Sequence, residues 1–577
     1  MQFYRAVLLS LALVVPAPLM AQEAPGSDPV FTETLEVRVV NLEVVVEDRQ
    51  GNRVPGLEPE DFELLVDGAV LPIDYFTEIQ GGQVVARDRE SGAGVEAVNG
   101  VSPGEPLGTS YLVFIDDFFT VGNLRNRAIE GVREAIPLLG ANDRMAVVAF
   151  DGQRLAMLSP WSGSREDLLA VLDDAKGRRA WGRRTQVLLQ RGMPSSLAVQ
   201  AYEQRLRDMT VAIRSTMRSF AQPPGRKVML LVAGEWPNSP ALYLDGGNPF
   251  GDDPGTAGGD GVGGSEDPLP VDAQRESDLR RSHRIFEPIY QTANRLGYTL
   301  YPIDSGGVSG GGFNQTNPDI YGALEPPPAD PQLTLRDPDE PRISQTRFDM
   351  GNAAPSRPIA SLAAEQEIHI ALEVLAHETG GKALIDSARN DSLERIVADT
   401  RSYYWFGFTP EWHGDDQVHT VEVKALGKGL RVRSRGSYQD LSRSKEVTYM
   451  VESAMLFEDV PWAEPLTVEM GKPHHQKGKR LLPLKLFIPM DKVTALPHED
   501  RYRIPLELRL MAMDAKGHRS EVDLIPLELV GSAQPQPGQV GVQTVDVRLR
   551  KGTHDLVVSL HDALGGKIFT ARLEVDP

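Results

Sequence analysis

The stretch Tyr111-Leu-Val-Phe-Ile-Asp-Asp-Phe-Phe-Thr120 decides the fold. Tyr111 to Ile115 is an unbroken apolar run, as expected of a parallel strand buried on both faces. The two acids after it mark the strand's carboxyl end. Working outward, a helical stretch at 123–139 leads to a second buried run, Arg144-Met-Ala-Val-Val-Ala-Phe150. Helices at 165–175 and 195–220 precede Lys227-Val-Met-Leu-Leu-Val232, and a helix ending near Leu296 precedes Tyr298-Thr-Leu-Tyr-Pro-Ile303. Strand alternating with helix on this rhythm predicts a doubly wound, mostly parallel α/β sheet. Its binding crevice would lie at the carboxyl ends of the strands, just after Ile115, Val232 and Ile303. The pattern resumes with a helix at 365–377, a strand at 382–385 and a helix at 393–400. Three β segments at 403–408, 419–423 and 430–435 are expected to close an α/β domain spanning 109–440.

All-β modules flank this domain. Leu35, Val37 and Val39 alternate with Glu36 and Arg38, Asp48-Arg-Gln-Gly51 is a turn signal, and Asp67-Gly68 is a tight turn. Residues 29–80 therefore read as a small β-sandwich, followed by a polar, Gly-rich linker at 81–108. Alternating runs beyond residue 445 predict a second sandwich at 445–577. Insertions at 240–278 and 306–360, rich in Gly, Pro or acid, read as loops at the carboxyl edge of the α/β sheet.

Arg5, the apolar run Ala6 to Val15 and the approach to Ala21 read as a signal peptide over residues 1–21. The expectation is export to the periplasm, the cell surface or the medium. No later run has the ~20 apolar residues a spanning helix needs. The 577 residues contain no cysteine, which excludes disulfides, thiolate metal sites and thiol catalysis. A net charge of -21 argues against sequence-independent nucleic-acid binding, which depends on Lys and Arg displacing counterions.

The α/β segment resembles a von Willebrand factor type A domain, and the mature chain resembles the bacterial exported VWFA-related proteins. The matching residues are Val44-Val-Val-Glu-Asp-Arg-Gln-Gly-Asn-Arg-Val-Pro-Gly-Leu57, Glu60-Asp-Phe62, Val66-Asp-Gly68 and Tyr111 to Asp117. They continue with Leu375-Ala-His-Glu-Thr-Gly-Gly-Lys382, Tyr403-Tyr-Trp-Phe-Gly-Phe-Thr-Pro410 and Arg431-Val-Arg-Ser-Arg-Gly-Ser-Tyr438. The C-terminal sandwich resembles immunoglobulin-like modules only in general pattern.

The resemblance implies a metal-ion-dependent adhesion site, in which Mg²⁺ takes oxygen ligands and accepts one carboxylate from a partner. The candidate ligands are Asp116, Thr120, Thr185 and Glu235. Asp117, Phe118 and Phe119 are candidate contacts for a protein partner, although packing of the two rings under the loop is the favoured reading. The set is incomplete: Phe118 stands where the family has a hydroxyl, and Ala233 where it has a carboxylate. The competing reading, which we favour, has Asp116 and Asp117 capping the next helix or satisfying loop amides.

Other motifs carry less. Gly307-Val-Ser-Gly-Gly311 fits a serine-hydrolase pattern but lacks the helix that a nucleophile elbow needs. Gly259-Asp-Gly-Val-Gly-Gly264 lies among carboxylates that would repel a pyrophosphate. His377-Glu378 lacks the second His of a zinc protease, and His474-His475 reads as a surface turn. The expected function is non-catalytic binding of a protein partner, as adhesin or scaffold, at the carboxyl edge of the sheet. The alternative is an extracytoplasmic hydrolase acting through Ser309 or Asp116.

Overall fold

The computed structural model describes residues 39–85, 106–182, 195–221, 225–238, 285–305, 357–385, 392–457, 463–476, 479–498, 500–514, 519–550 and 552–576, with isolated positions between. The signal peptide, most of the 81–108 linker, most of both insertions, Thr185 and Ser309 lie outside these residues. The chain is a mixed α/β protein with several sheets.

Strands β1 (Val40–Glu47), β2 (Phe62–Val66), β3 (Ala69–Leu71), β4 (Tyr75–Gln80) and β5 (Gln83–Val84) come first. Asp67 and Gly68 both take positive φ, 49° and 80°. That is what a two-residue turn needs to follow the twist of the β2–β3 hairpin.

The central sheet is built from β6 (Thr109–Asp116), β7 (Arg144–Phe150), β8 (Leu155–Ser162), β9 (Arg226–Ala233) and β10 (Tyr298–Asp304). Its order is β10-β9-β6-β7-β8, with β6, β7, β9 and β10 parallel and β8 antiparallel at one edge. All eight residues of β6 are buried, because its alternate side chains feed two different cores. Leu112 and Phe114 meet helices α3 (Ser195–Ser219), α4 (285–296) and α5 (Arg357–Glu378). Tyr111, Val113 and Ile115 meet α1 (Gly122–Glu134), α2 (Arg165–Lys176) and α6 (Ser392–Thr400) on the opposite face. The expected strand at 382–385 is reduced to one parallel bridge, Ile303 to Leu384.

Strands β11 (Tyr403–Phe408), β12 (Val418–Ala425), β13 (Arg431–Arg433) and β14 (Ser437–Gln439) correct the expectation that they close the α/β domain. They return to the N-terminal strands in two sheets, β13-β1-β11-β4-β5 and β14-β12-β2-β3. The physical reason is burial. Tyr404, Phe406 and Phe408 face a core with Leu42, Val44, Phe62, Leu64 and Phe76, in which the Phe76 and Phe406 rings stack 5.7 Å apart. Tyr403 and Trp405, on the other face of β11, pack with Val45 and Ile79. Each fully buried ring contributes roughly 1.5–3 kcal/mol, and β11 brings Tyr404, Phe406 and Phe408 to the core that the N-terminal strands begin.

Charges join this sandwich to the α/β part. Asp399 in α6 accepts from Arg53 (2.5 Å), from Arg433 Nη2 at each of its two carboxylate oxygens (2.9 and 3.0 Å) and from the Tyr301 hydroxyl of β10 (2.6 Å). Lys382 lies 3.1 Å from both Asp399 and Glu47.

The C-terminal part opens with a helix, α7 (Arg443–Leu456), where strand was expected. Ser442 caps it by accepting from Lys445 N at 3.4 Å. One side of α7 packs Val451, Ala454 and Met455 on Met511, Met513 and Val557, while Leu456 reaches the core under α3. The strands that follow are β15 (Glu464–Pro465), β16 (Thr467–Met470), β17 (His474–Gln476), β18 (Lys479–Pro489), β19 (Leu496–His498) and β20 (Arg501–Asp514). The last are β21 (Asp523–Gly531), β22 (Val540–Arg548), β23 (His554–His561) and β24 (Ile568–Val575). They form two sheets, one with the path β15-β24-β23-β20-β19 and β21 on β20, the other β16-β18-β17 with β22 on β18. Leu484, Leu486, Leu508, Leu560 and Phe569 fill the space between them.

Candidate functional site

Strand β6 ends in the centre of the sheet, so Asp116 emerges at its carboxyl edge with no exposed surface. A buried carboxylate needs donors, and the next residues supply them. Asp116 Oδ1 accepts from the amides of Phe118 (2.9 Å) and Phe119 (3.0 Å), and Oδ2 accepts from the indole Nε1 of Trp236 at 2.6 Å. Thr120 turns its hydroxyl back to donate to the Asp116 carbonyl. Burial pushes the Asp116 carboxyl up to about 7, against the three N–H donors that favour its charged form.

Asp117 is equally enclosed. Its Oδ1 lies 2.5 Å from Arg125 Nη1 of α1 and its Oδ2 lies 2.6 Å from Arg178 Nε. Arg125 is itself 1% exposed and also donates to the Arg178 carbonyl at 2.8 Å. The Asp117 and Thr120 carbonyls accept from Trp181 N (2.8 Å) and Gly182 N (3.0 Å).

The loop is pressed between glycines. A Cβ on Gly234 would overlap the Phe119 backbone, and one on Gly152 would collide with the Phe118 ring. Phe119 is 2% exposed and lies in the core with Tyr202, and Phe118 is half-buried against that core.

These positions match the favoured reading of Phe118 and Phe119, packed under the loop, and tell against a partner contact there or at Asp117. Two guanidinium groups take up the carboxylate, and apolar packing takes up the rings. Asp116 and Thr120 are brought together, but their polar atoms are committed to protein donors and acceptors. Glu235 is half-buried just beyond β9, where its carbonyl accepts from the Tyr202 hydroxyl at 2.7 Å. Ala233 ends β9 and its carbonyl accepts from Ser305 N at 3.1 Å. Of the competing reading, the loop-amide half matches the geometry; the helix-cap half does not, since α1 starts after Val121 with no side-chain cap.

Sequence reasoning missed Trp236, the partner that closes the site, because it sought oxygens alone; the signal was the indole next to Glu235. It also missed Trp181 and Arg179. The Arg179 guanidinium lies 3.9 Å over the Trp181 ring, beside Asp117, and Arg179 is exposed.

The pH sign follows from the raised carboxyl. A carboxyl held above its unfolded value near 4 gives stability that is complete below that value and is lost as pH rises through about 7. Asp116→Asn is therefore expected to flatten the fall in urea midpoint between pH 5 and pH 8. It is also expected to cost about 1–3 kcal/mol at pH 5, because its amide would face the Trp236 N–H donor to donor. Equal pH slopes in the two proteins would contradict this account of Asp116.

No helix among the described residues is long and apolar enough to cross a membrane. The chain matches no protein-family model and no curated protein. Among solved structures it is similar to the pilus adhesin SpaC from Lactobacillus rhamnosus GG, at 10% identity and a TM-score of 0.18. The match covers 81% of this chain and 57% of the adhesin.

Proposed function

We propose that this is an exported, non-catalytic protein-binding protein, an adhesin or scaffold, built on a doubly wound von Willebrand A-type domain with a degenerate metal-ion-dependent adhesion site. The strand order, the antiparallel edge strand and the helices on both faces support that assignment of the domain. Export rests on the leader sequence.

The observation that carries the reading is the closure of the Asp116 loop. Mg²⁺ demands a near-octahedral set of oxygens, whereas both Asp116 oxygens accept N–H groups and the Thr120 hydroxyl is turned to the backbone. The residues present do not fit the cation, and partner binding does not depend on it. The loop instead holds the carboxyl edge in shape. Trp181 under Arg179 supplies the contact, since aromatic and arginine side chains dominate binding hot spots.

The test is capture by the immobilised full chain from the extracytoplasmic fraction of the cells that make it. Capture is expected to resist EDTA and to be lost in Arg179→Glu/Trp181→Ala. Unchanged capture by that variant, or dependence on a divalent cation, would overturn the proposal.

A further inference from the structure

Far along the chain from the Asp116 loop, the sheet β14-β12-β2-β3 gathers a second set of polar groups. Strand β12 brings its first residues beside two other segments, since His419 pairs with Tyr438 of β14 and Val421 with Val66 of β2. This places His419 next to Asp440, which follows β14, and Asp67, at the β2–β3 turn. Asp415 precedes β12 in the connection from β11.

We propose that Asp415, His419 and Asp440 form a binding site for a first-row divalent cation, with Zn²⁺ as the expected occupant. One ligand atom from each of the three lies within 4.8 Å of the others. His419 Nε2 and Asp415 Oδ1 are 3.9 Å apart, too far for a hydrogen bond but close enough for one ion to draw both in.

Two further observations point to a cation. Asp440 is 2% exposed, and no lysine or arginine pairs with it among the described residues. Its Oδ2 accepts from the amides of His413 (2.6 Å) and Gly414 (2.9 Å), while Oδ1 accepts no hydrogen bond from the described residues. Buried carboxylates are as a rule paired or bound to metal. The second observation is the orientation of the imidazole. His419 Nδ1 lies 2.7 Å from Asp67 Oδ2, and the ring stacks on Tyr438 with centroids 4.9 Å apart. A carboxylate behind one ring nitrogen fixes the tautomer that offers the other nitrogen to a metal.

Imidazole with two carboxylates favours Zn²⁺ over Mg²⁺ or Ca²⁺, which prefer oxygen alone. Three protein ligands leave a fourth position open to water. The side chains of His419 and Asp415 are 23% and 36% exposed, which gives an ion a way in.

The test is calorimetric titration of the EDTA-dialysed full chain with a zinc salt, with the thermal midpoint read in parallel. One equivalent is expected to bind and to raise the midpoint by mass action. His419→Ala is expected to abolish this uptake. Asp67→Asn, at a positioning residue, is expected to weaken it about 10–100-fold. Asp415→Asn, at an exposed carboxylate, is expected to weaken uptake while leaving the zinc-free midpoint unchanged, which separates lost binding from lost folding. No uptake at millimolar zinc, or full uptake retained by His419→Ala, would overturn the proposal. So would Ca²⁺ binding as tightly as Zn²⁺, the result for an acidic patch alone.

Discussion

Asp399→Asn is expected to lower stability by about 3–5 kcal/mol at pH 7, the usual result of removing one partner from a buried charge cluster. Arg53, Arg433 and Lys382 would be left around a neutral amide, and the Tyr301 hydroxyl would lose a charged acceptor. Burial acts to raise the Asp399 carboxyl, but Arg433, the Tyr301 hydrogen bond, Arg53 and Lys382 outweigh it and hold it well below the usual carboxylate range. A depressed carboxyl gives stability that is present above the unfolded value near 4 and is lost as pH falls through the folded value. The gap between the wild type and Asp399→Asn in urea unfolding should therefore be widest near pH 7 and narrow below about pH 3. A gap below about 1 kcal/mol at pH 7, the range of an exposed pair, would mean that this cluster does not hold the sandwich to the α/β part.

Asp117→Ala should be comparably costly, about 3–5 kcal/mol, because it strands Arg125 in the interior. Asp117→Ala/Arg125→Met should recover much of that loss, since replacing both partners of a buried pair by apolar groups is often near neutral. Arg178, which is half-buried, can turn to solvent in either variant. Denaturant midpoints of the three proteins check this. A single variant as stable as the wild type would restore Asp117 as a candidate partner contact.

What the sequence made legible depended on how local the cause was. Tyr111–Ile115 announces a strand buried on both faces, because each of its residues meets one of two helical layers. Leu155–Ser162 was not read as a strand. It lies at the sheet edge, alternates poorly in burial and carries Pro160, which weakens a strand signal. The aromatic run Tyr403–Phe408 is legible as a strand, but its pairing with Val40–Val44 is set across the whole α/β segment, and no local pattern encodes that. Helix α7 had a readable signal in Ser442 as cap and in Val447, Val451 and Met455 at helical spacing. The β-rich stretch that follows masked it.

At the site, it was legible that Phe118 offers no hydroxyl and Ala233 no carboxylate. The groups that meet Asp116 and Asp117 were not legible. The indole of Trp236 meets Asp116 only through the pairing of β9 with β6, and the guanidinium of Arg125 meets Asp117 only through the first turn of α1. Packing of Phe118 and Phe119 under the loop was the favoured sequence reading; the tight approach of Gly152 and Gly234 that presses them there was not legible.

The most direct test of the closed Asp116 loop is the indole resonance of Trp236 in the full chain with His419→Ala, labelled with ¹⁵N-tryptophan. Under millimolar Mg²⁺ carrying a trace of paramagnetic Mn²⁺, the Trp236 Nε1–H signal is predicted to stay sharp, unshifted and slow to exchange. Selective broadening or displacement of that signal would place a cation on Asp116 and contradict the account.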